Sequence, residues 1–317
     1  MKLLALSLLF AACAQNPSPL PLSPRGGERG PDQPYAIVLG IAQDGGYPQA
    51  DCRRSDCLAA WRDPSLQRHV ASLAIVDPVS GARWLIDATP DFPRQMAMLD
   101  AMAPVSGNWL SGILLTHAHI GHYTGLMHLG REVLGAKNVP VYAMPRMRNF
   151  LEHNGPWDQL VRLGNIKVSD LEDGKEIALN ERLHVTPLRV PHRDEYSETV
   201  GFIVRGPHHS ILWLPDIDKW EKWETPLESV LSRVDTAFVD GSFYDASELP
   251  GRDLREIPHP LMIETMERLG KSSAEMRRRI EFIHLNQSNP ALRDEAARAR
   301  IRKRGFGVAA EGERVAL

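Results

Sequence analysis

Seven residues near the middle of the chain, Thr116-His117-Ala118-His119-Ile120-Gly121-His122, restrict its fold more than any other stretch. They come directly after Gly112 to Leu115, a compact apolar run that reads as a buried strand. In an extended strand the side chains at i and i+2 run parallel on one face, so two histidines at that spacing do not converge on one point. A sharp loop at the strand end can turn them, with a third at i+5, toward a single cation. Neutral imidazole is a good ligand for zinc, iron and manganese-class ions, with Zn–N of about 2.0–2.1 Å. The cluster therefore predicts a strand that ends in a metal site. The competing account is three loop histidines that meet by chance.

From Pro34 onward, short β-rich runs alternate with amphipathic segments. Ala36 to Ile41 is a candidate strand, and Ser72 to Val76 and Arg83 to Ile86 flank the turn Pro78-Val79-Ser80-Gly81 as a hairpin. Further strands are expected at Val139 to Ala143, Ile177 to Leu179, Leu183 to Val190, Thr199 to Val204, Ser210 to Leu214, Thr236 to Val239 and Arg279 to Ile283. Helical spacing marks Phe92 to Met102, His122 to Leu134, Asp218 to Ser232, Pro260 to Leu269 and Pro290 to Lys303. Strands then helices, twice over and with no internal linker, predict one α/β domain over residues 35–317. Its two sheets pack face to face with helices outside, a four-layer αββα sandwich.

A chain of 317 residues, 43% hydrophobic and 24% charged, has the length for one such domain. Its net charge of -3 and mixed charge signs argue against a general nucleic-acid or membrane-surface binder. Arg277 to Arg279 and Arg298 to Arg304 read as helix faces or surface turns. Residues 1–14 read as a signal peptide: Lys2 precedes an apolar run, Leu3 to Ala12, that is too short for a membrane span of about 20 residues. Leu9-Phe10-Ala11-Ala12-Cys13 resembles a bacterial lipobox, which implies a lipoprotein held to the membrane through Cys13. Plain cleavage after Ala14 is the alternative, and either route exports the protein to the periplasmic side. Residues 15–34, with six prolines and three glycines, read as a semi-extended tether. Cys52 and Cys57, with four residues between them, could form a disulfide or half of a zinc site.

Three further predicted strands also end in ligand-type residues: His192 after Val190-Pro191, Asp216 after Leu214-Pro215, and His284 after Phe282-Ile283. Thr-His-x-His-x-x-His followed by these, in this order, resembles the metallo-β-lactamase superfamily, whose pattern is His-x-His-x-Asp-His. Within it the chain is similar to the PQQ biosynthesis protein B branch, itself related to RNase Z and phosphodiesterase-type members. That likeness is carried by Leu39-Gly40 with Asp44-Gly45-Gly46-Tyr47-Pro48-Gln49, by Asp87-Ala88-Thr89-Pro90-Asp91, by Asp240-Gly241-Ser242-Phe243, and by His284-Leu285-Asn286-Gln287-Ser288-Asn289-Pro290. It runs from about Ala36 to the C-terminus and implies the metallo-β-lactamase form of the αββα sandwich.

The resemblance also implies a ligand set. His117, His119 and His192 would hold one metal, His122 and His284 a second, and Asp216 would bridge them. Gly121 stands where the superfamily pattern has aspartate, so the second position is expected to lack its own carboxylate, with Asp194 or Glu195 the residues able to reach in. One zinc site is thus expected complete and the other incomplete; iron and manganese suit the same donors. Members of the branch tend to carry a Cys-x-Cys-x-x-Cys zinc loop, and Arg54 occupies its middle position here, which favours the Cys52–Cys57 disulfide.

Three histidines and a carboxylate leave a position for water, whose pKa a divalent cation lowers from about 15.7 to near 7. The expected function is therefore a hydrolase of a small-molecule ester, lactone or phosphodiester in the cell envelope, using a metal-bound hydroxide that Asp216 orients. His259, in Ile257-Pro258-His259-Pro260, lies where RNase Z-like relatives place the histidine that protonates the leaving group; a structural histidine at a helix start is the alternative. Asp87 reads as a carboxylate that steadies a turn or a ligand. The resemblance carries a second function, an iron- and oxygen-dependent oxidoreductase of PQQ biosynthesis. The export signal and the intact His117–His119 pair, which that branch tends to lose, argue against it. A third reading, a non-catalytic envelope binding protein, is favoured by Gly121 but leaves buried polar groups with no reason to persist. His69, His128, His153, His184, His208 and His209 have no ligand partner at suitable spacing. Tyr123 and Tyr196 are read as pocket lining, and Trp213, Trp220 and Trp223 as core or rim packing.

Overall fold

Alternate residues of the first strand enter two different cores. Ala36 and Val38 pack into the space between two sheets, whereas Ile37 and Leu39 face a layer of helices. The period of two along a strand sorts them this way. The structure, a computed structural model, describes residues 30, 32–105, 107 and 109–317. The predicted signal at residues 1–14 and, apart from residues 30 and 32–34, the predicted tether lie outside the described residues.

The first sheet contains β1 (Tyr35–Gly40), β2 (Ser72–Asp77), β3 (Ala82–Ile86), β4 (Gly112–Leu114), β5 (Val139–Ala143), β6 (Ile166–Asp170) and the C-terminal β14 (Arg314–Ala316), in the order β14-β1-β2-β3-β4-β5-β6. The second contains β7 (Ile177–Ala178), β8 (His184–Val190), β9 (Thr199–Arg205), β10 (Ser210–Leu214), β11 (Thr236–Asp240), β12 (Ile280–Ile283) and β13 (Gly307–Val308), in the order β13-β12-β11-β10-β9-β8-β7. Leu73, Ile75, Trp84 and Ile86 of the first sheet share a core with Phe202, Trp213 and Phe238, which pair side by side on one face of the second. Phe92, Met96 and Leu99 of the helix Phe92–Met102 cover the outer face of the first sheet. Helices Met262–Arg268 and Glu295–Lys303 pack Met262, Met266 and Ile301 onto the second. This is the αββα metallo-β-lactamase sandwich that the sequence predicts.

Strand direction decides where the site lies. β3 to β6 are parallel, and β1 runs the same way because two antiparallel pairings separate it from β3. In the second sheet β10 to β13 are parallel, and β8 matches them through β9. The ends of β1, β3, β4, β8, β10, β11 and β12 therefore gather at one edge of the sandwich. There the sheets are stitched together: Ala42 bridges both Val70 and Leu285, and Val200 N–H donates to Thr116 O at 3.1 Å.

Three predicted helices are shorter than their sequence pattern. His122 to Leu134 resolves into one turn, Ile120–Tyr123, and a 3-10 segment, Thr124–Leu129. A Cβ on Gly125 would lie 2.2 Å from Thr89 O, so the backbone itself packs there, and Gly125 N–H donates to Ala88 O at 2.9 Å rather than along a helix. Asp218 to Ser232 breaks at Pro226 and leaves Trp220–Lys222 and Leu227–Leu231. Pro290 to Lys303 divides at Asp294, which caps the helix Glu295–Lys303 by accepting from Ala296 N–H. Helices Ser55–Arg62, Pro145–His153, Trp157–Arg162 and Ala274–Arg278 and strands β6, β13 and β14 are additional to the sequence reading. Cys52 and Cys57 form a disulfide, and Arg54 between them donates to Gln287 O at 2.7 Å where a third cysteine would complete a zinc loop.

Candidate metal centre

Each histidine of the cluster is aimed by a neighbour. The backbone after β4 turns so that Thr116 N–H donates to Asp87 Oδ1 at 2.8 Å, and Thr116 Oγ1 lies 3.0 Å from His117 Nδ1. Ala118 N–H donates across the sheets to Ser197 Oγ at 2.8 Å, pinning the loop. Asp87, past the end of β3, has φ of 67° and sets an oxygen 2.7 Å from His122 Nδ1. His284, past β12, has φ of 62°, and Ser242 Oγ lies 3.0 Å from its Nδ1. A left-handed backbone costs a non-glycine residue roughly 1–2 kcal/mol, which these two sites sustain where they place a side chain.

With Nδ1 occupied, the Nε2 atoms of His117, His122 and His284 are left to face one another. Asp216, past β10, stands among them: Oδ2 is 3.0 Å from His122 Nε2, 3.2 Å from His284 Nε2 and 3.9 Å from His117 Nε2, while Oδ1 is 3.7 Å from His192 Nε2. His117, His119 and His192 form one group able to hold a metal, and His117, His122 and Asp216 another. A third group brings in a residue that the sequence reading did not treat as a ligand. Asp44 Oδ1 lies 3.3 Å from His122 Nε2 and 3.8 Å from His284 Nε2, so Asp44, His122 and His284 meet. A carboxylate thus stands beside His122 and His284, although position 121 supplies none. Neither named substitute is that carboxylate: Asp194 accepts from Thr199 Oγ1 at 3.0 Å, and Glu195 lies 3.0 Å from His119 Nε2. The only sequence signal for Asp44 was its place in Asp44-Gly45-Gly46 after β1, and no spacing rule joins it to His122.

The donor set fits a cation. His117 Nε2, His122 Nε2, both ring nitrogens of His192, His284 Nε2, Asp44 Oδ1 and Asp216 Oδ2 are buried without a hydrogen-bond partner. Each such atom costs about 1–3 kcal/mol unless something satisfies it, and all but one of the two His192 nitrogens can face a common centre. Burial pushes His117 well below its ordinary range and His192 down to about 4, so both rings are neutral electron-pair donors. Burial opposes ionisation of Asp216 and Asp44, but the facing histidines outweigh it and hold both well below the carboxylate range. His122 shows the complement: burial lowers it, yet Asp87, Asp216 and Asp44 raise it well above the usual value. In the metal-free protein its proton offsets the carboxylates, and a divalent cation would displace that proton.

His259 is buried beside this set, with Nδ1 2.7 Å from Asp240 Oδ2, 3.2 Å from Ser242 Oγ and 3.7 Å from Asp216 Oδ1. Burial lowers its pKa, but the Asp240 carboxylate prevails and the net shift is upward. Asp240 also accepts from Ile217 and Ser242 N–H, so it is fixed from both sides. Asp240 and Ser242 are the other site residues that the sequence reading quoted only as a likeness. Tyr123 is buried against Phe150 and Trp157 as core, while Tyr196 is exposed with its ring 5.6 Å from Phe150. Trp213, Trp220 and Trp223 are buried in the core that the second sheet shares, and Trp220 Nε1–H donates to Thr265 Oγ1 of the covering helix at 2.9 Å.

Fold and site together define a metallo-β-lactamase protein, and residues 82–285 match the family described as a beta-lactamase superfamily domain. The chain belongs to that superfamily. It is 29% identical to the coenzyme PQQ synthesis protein B of Pseudomonas fluorescens (strain Pf0-1), over 89% of this chain and 100% of that one. Among solved structures it resembles Zn(2+)-bound PqqB from Methylobacterium extorquens, with TM-score 0.73 and 24% identity over 89% of this chain and 100% of that one. A diphosphatase of the PhnP family follows the same fold, with TM-score 0.64 and 20% identity over 90% of this chain and 97% of that one.

Proposed function

We propose that the protein is a metal-dependent hydrolase of a small-molecule ester, lactone or phosphodiester. The observation that carries this reading is the convergence of unpartnered nitrogens and carboxylate oxygens from His117, His122, His192, His284, Asp44 and Asp216. His117, His119 and His192 would hold one zinc ion; His122 and His284 would hold a second. A bound divalent cation supplies acidity to a water ligand, lowering its pKa from about 15.7 to near 7. Asp216, whose oxygens face both halves, holds them in register and orients the attacking water. His259 gives a proton to the leaving group from Nε2, since Nδ1 is engaged by Asp240. The apolar run ending at Cys13 supports an envelope location.

A second reading, a role in PQQ coenzyme synthesis with iron in the same donors and oxygen as oxidant, is supported by the name that the full-length relatives share. The comparisons weigh toward that role more than toward any particular hydrolysed bond. The intact His117–His119 pair weighs the other way. Elemental analysis of the purified protein, with ester, lactone, β-lactam and phosphodiester substrates, separates the two. We expect turnover that His117→Ala abolishes and that His259→Ala lowers about 10²–10⁴-fold with metal content unchanged. Iron content with oxygen uptake, and no hydrolysis across the panel, would transfer the assignment to the second reading.

A further inference from the structure

We propose that Asp44 is the carboxylate ligand of the second metal position, moved from the histidine motif to the loop after β1, and that Gly121 is the reciprocal half of that exchange. The proposal rests on the metal-centre reading above and is independent of which bond is cleaved. A Cβ at position 121 would lie 2.2 Å from Asp44 Oδ1 and 2.6 Å from Asp44 Cα. No side chain fits there while the loop keeps its course, so the absence of aspartate at 121 and the presence of Asp44 are one steric fact. The carboxylate occupies the space that a side chain at 121 would need. From it, Oδ1 faces His122 Nε2 at 3.3 Å and His284 Nε2 at 3.8 Å.

The loop is built to hold that position. Leu285 N–H donates to Ile41 O at 2.8 Å, Gln43 N–H to Leu285 O at 2.9 Å, and Gly46 N–H to Gln43 O at 2.8 Å. Asp44 is thus clamped to the strand that delivers His284. Gly46 has φ of 66°, a conformation glycine adopts freely, and it turns the chain directly after the carboxylate. Asp44 Oδ1, His122 Nε2 and His284 Nε2 all lack hydrogen-bond partners, and both imidazoles are fully buried. One carboxylate oxygen and two imidazole nitrogens buried face to face are an arrangement that a cation completes.

The test is zinc stoichiometry of the purified protein, by calorimetric titration and by elemental analysis after desalting, with circular dichroism as the folding control. The wild type is expected to take two equivalents. Asp44→Asn is expected to keep one and to bind the second at least 100-fold more weakly. Gly121→Asp alone, which collides with the loop, is expected to lose the second equivalent, and the exchange Asp44→Gly with Gly121→Asp to regain it. Two tight equivalents in Asp44→Asn, or one equivalent in wild type and variant alike, would overturn the proposal while leaving the metal centre standing. A folded wild type that takes up no zinc would overturn both.

Discussion

Most histidines of the centre use one ring nitrogen for the protein and keep the other for the cation. Thr116 holds His117, Asp87 holds His122 and Ser242 holds His284, each through Nδ1. Such partners fix the tautomer and ring plane, and removing one typically costs 10–100-fold in metal affinity. Asp87→Asn should therefore weaken metal binding by roughly that factor, because the amide no longer provides the charged acceptor at 2.7 Å. Calorimetric titration measures it, and an unchanged affinity would mean that packing alone aims His122. At this scale the sequence was informative where contacts follow a strand end. His117, His122, His192, Asp216, His284 and the supporting role of Asp87 were all legible. Asp44 was not, since its partner lies in a different loop and only folding sets the distance.

Strands were read more accurately than helices. A strand here is a short apolar run closed by turn residues, and all six residues of β2 are buried, so composition alone marks it. A helix pattern says which face is apolar but not whether the backbone can pass. Gly125 against Thr89 O and Pro226 before Leu227 stopped helices that periodicity would have continued. The C-terminal segment shows a contact between elements with a pH signature. His69, before β2, lies 3.5 Å from Glu311, which precedes β14. The carboxylate raises the histidine above its ordinary value despite burial. A raised pKa means that the stabilisation is fully present below about pH 6.5 and is lost as pH climbs through the folded-state value. Glu311→Gln should thus cost more at pH 5.5 than at pH 9, by an amount on the order of 1 kcal/mol. Thermal unfolding of both proteins at the two pH values checks it, and equal losses would place the effect in the backbone hydrogen bond from His69 N–H instead.

For the whole molecule, a metal bound at this centre would add to stability, because the residues that would hold it come from both sheets. At a metal concentration of about 100 times Kd the bound form gains roughly 2.7 kcal/mol, and 1 kcal/mol moves Tm by about 2–4 °C in a domain approaching this size. Chelation should therefore lower Tm by on the order of 5–10 °C, and zinc should restore it; scanning calorimetry would show no shift if the loops were already rigid and the donors satisfied by water. The sequence by itself determined the superfamily, most of the strands and which strand ends carry His117, His119, His122, His192, Asp216 and His284, because these follow from local patterning and from what stands immediately after each strand. Only the tertiary structure brought Asp44 beside His122 and His284. The histidine motif announced a missing carboxylate at Gly121, but the group that replaces it enters from the loop after β1, through a parallel bridge between Ala42 and Leu285 that joins the two sheets. Spacing along a chain records which residues are neighbours in one element; it carries no information about which loop the packing of two sheets will press into the space beside it.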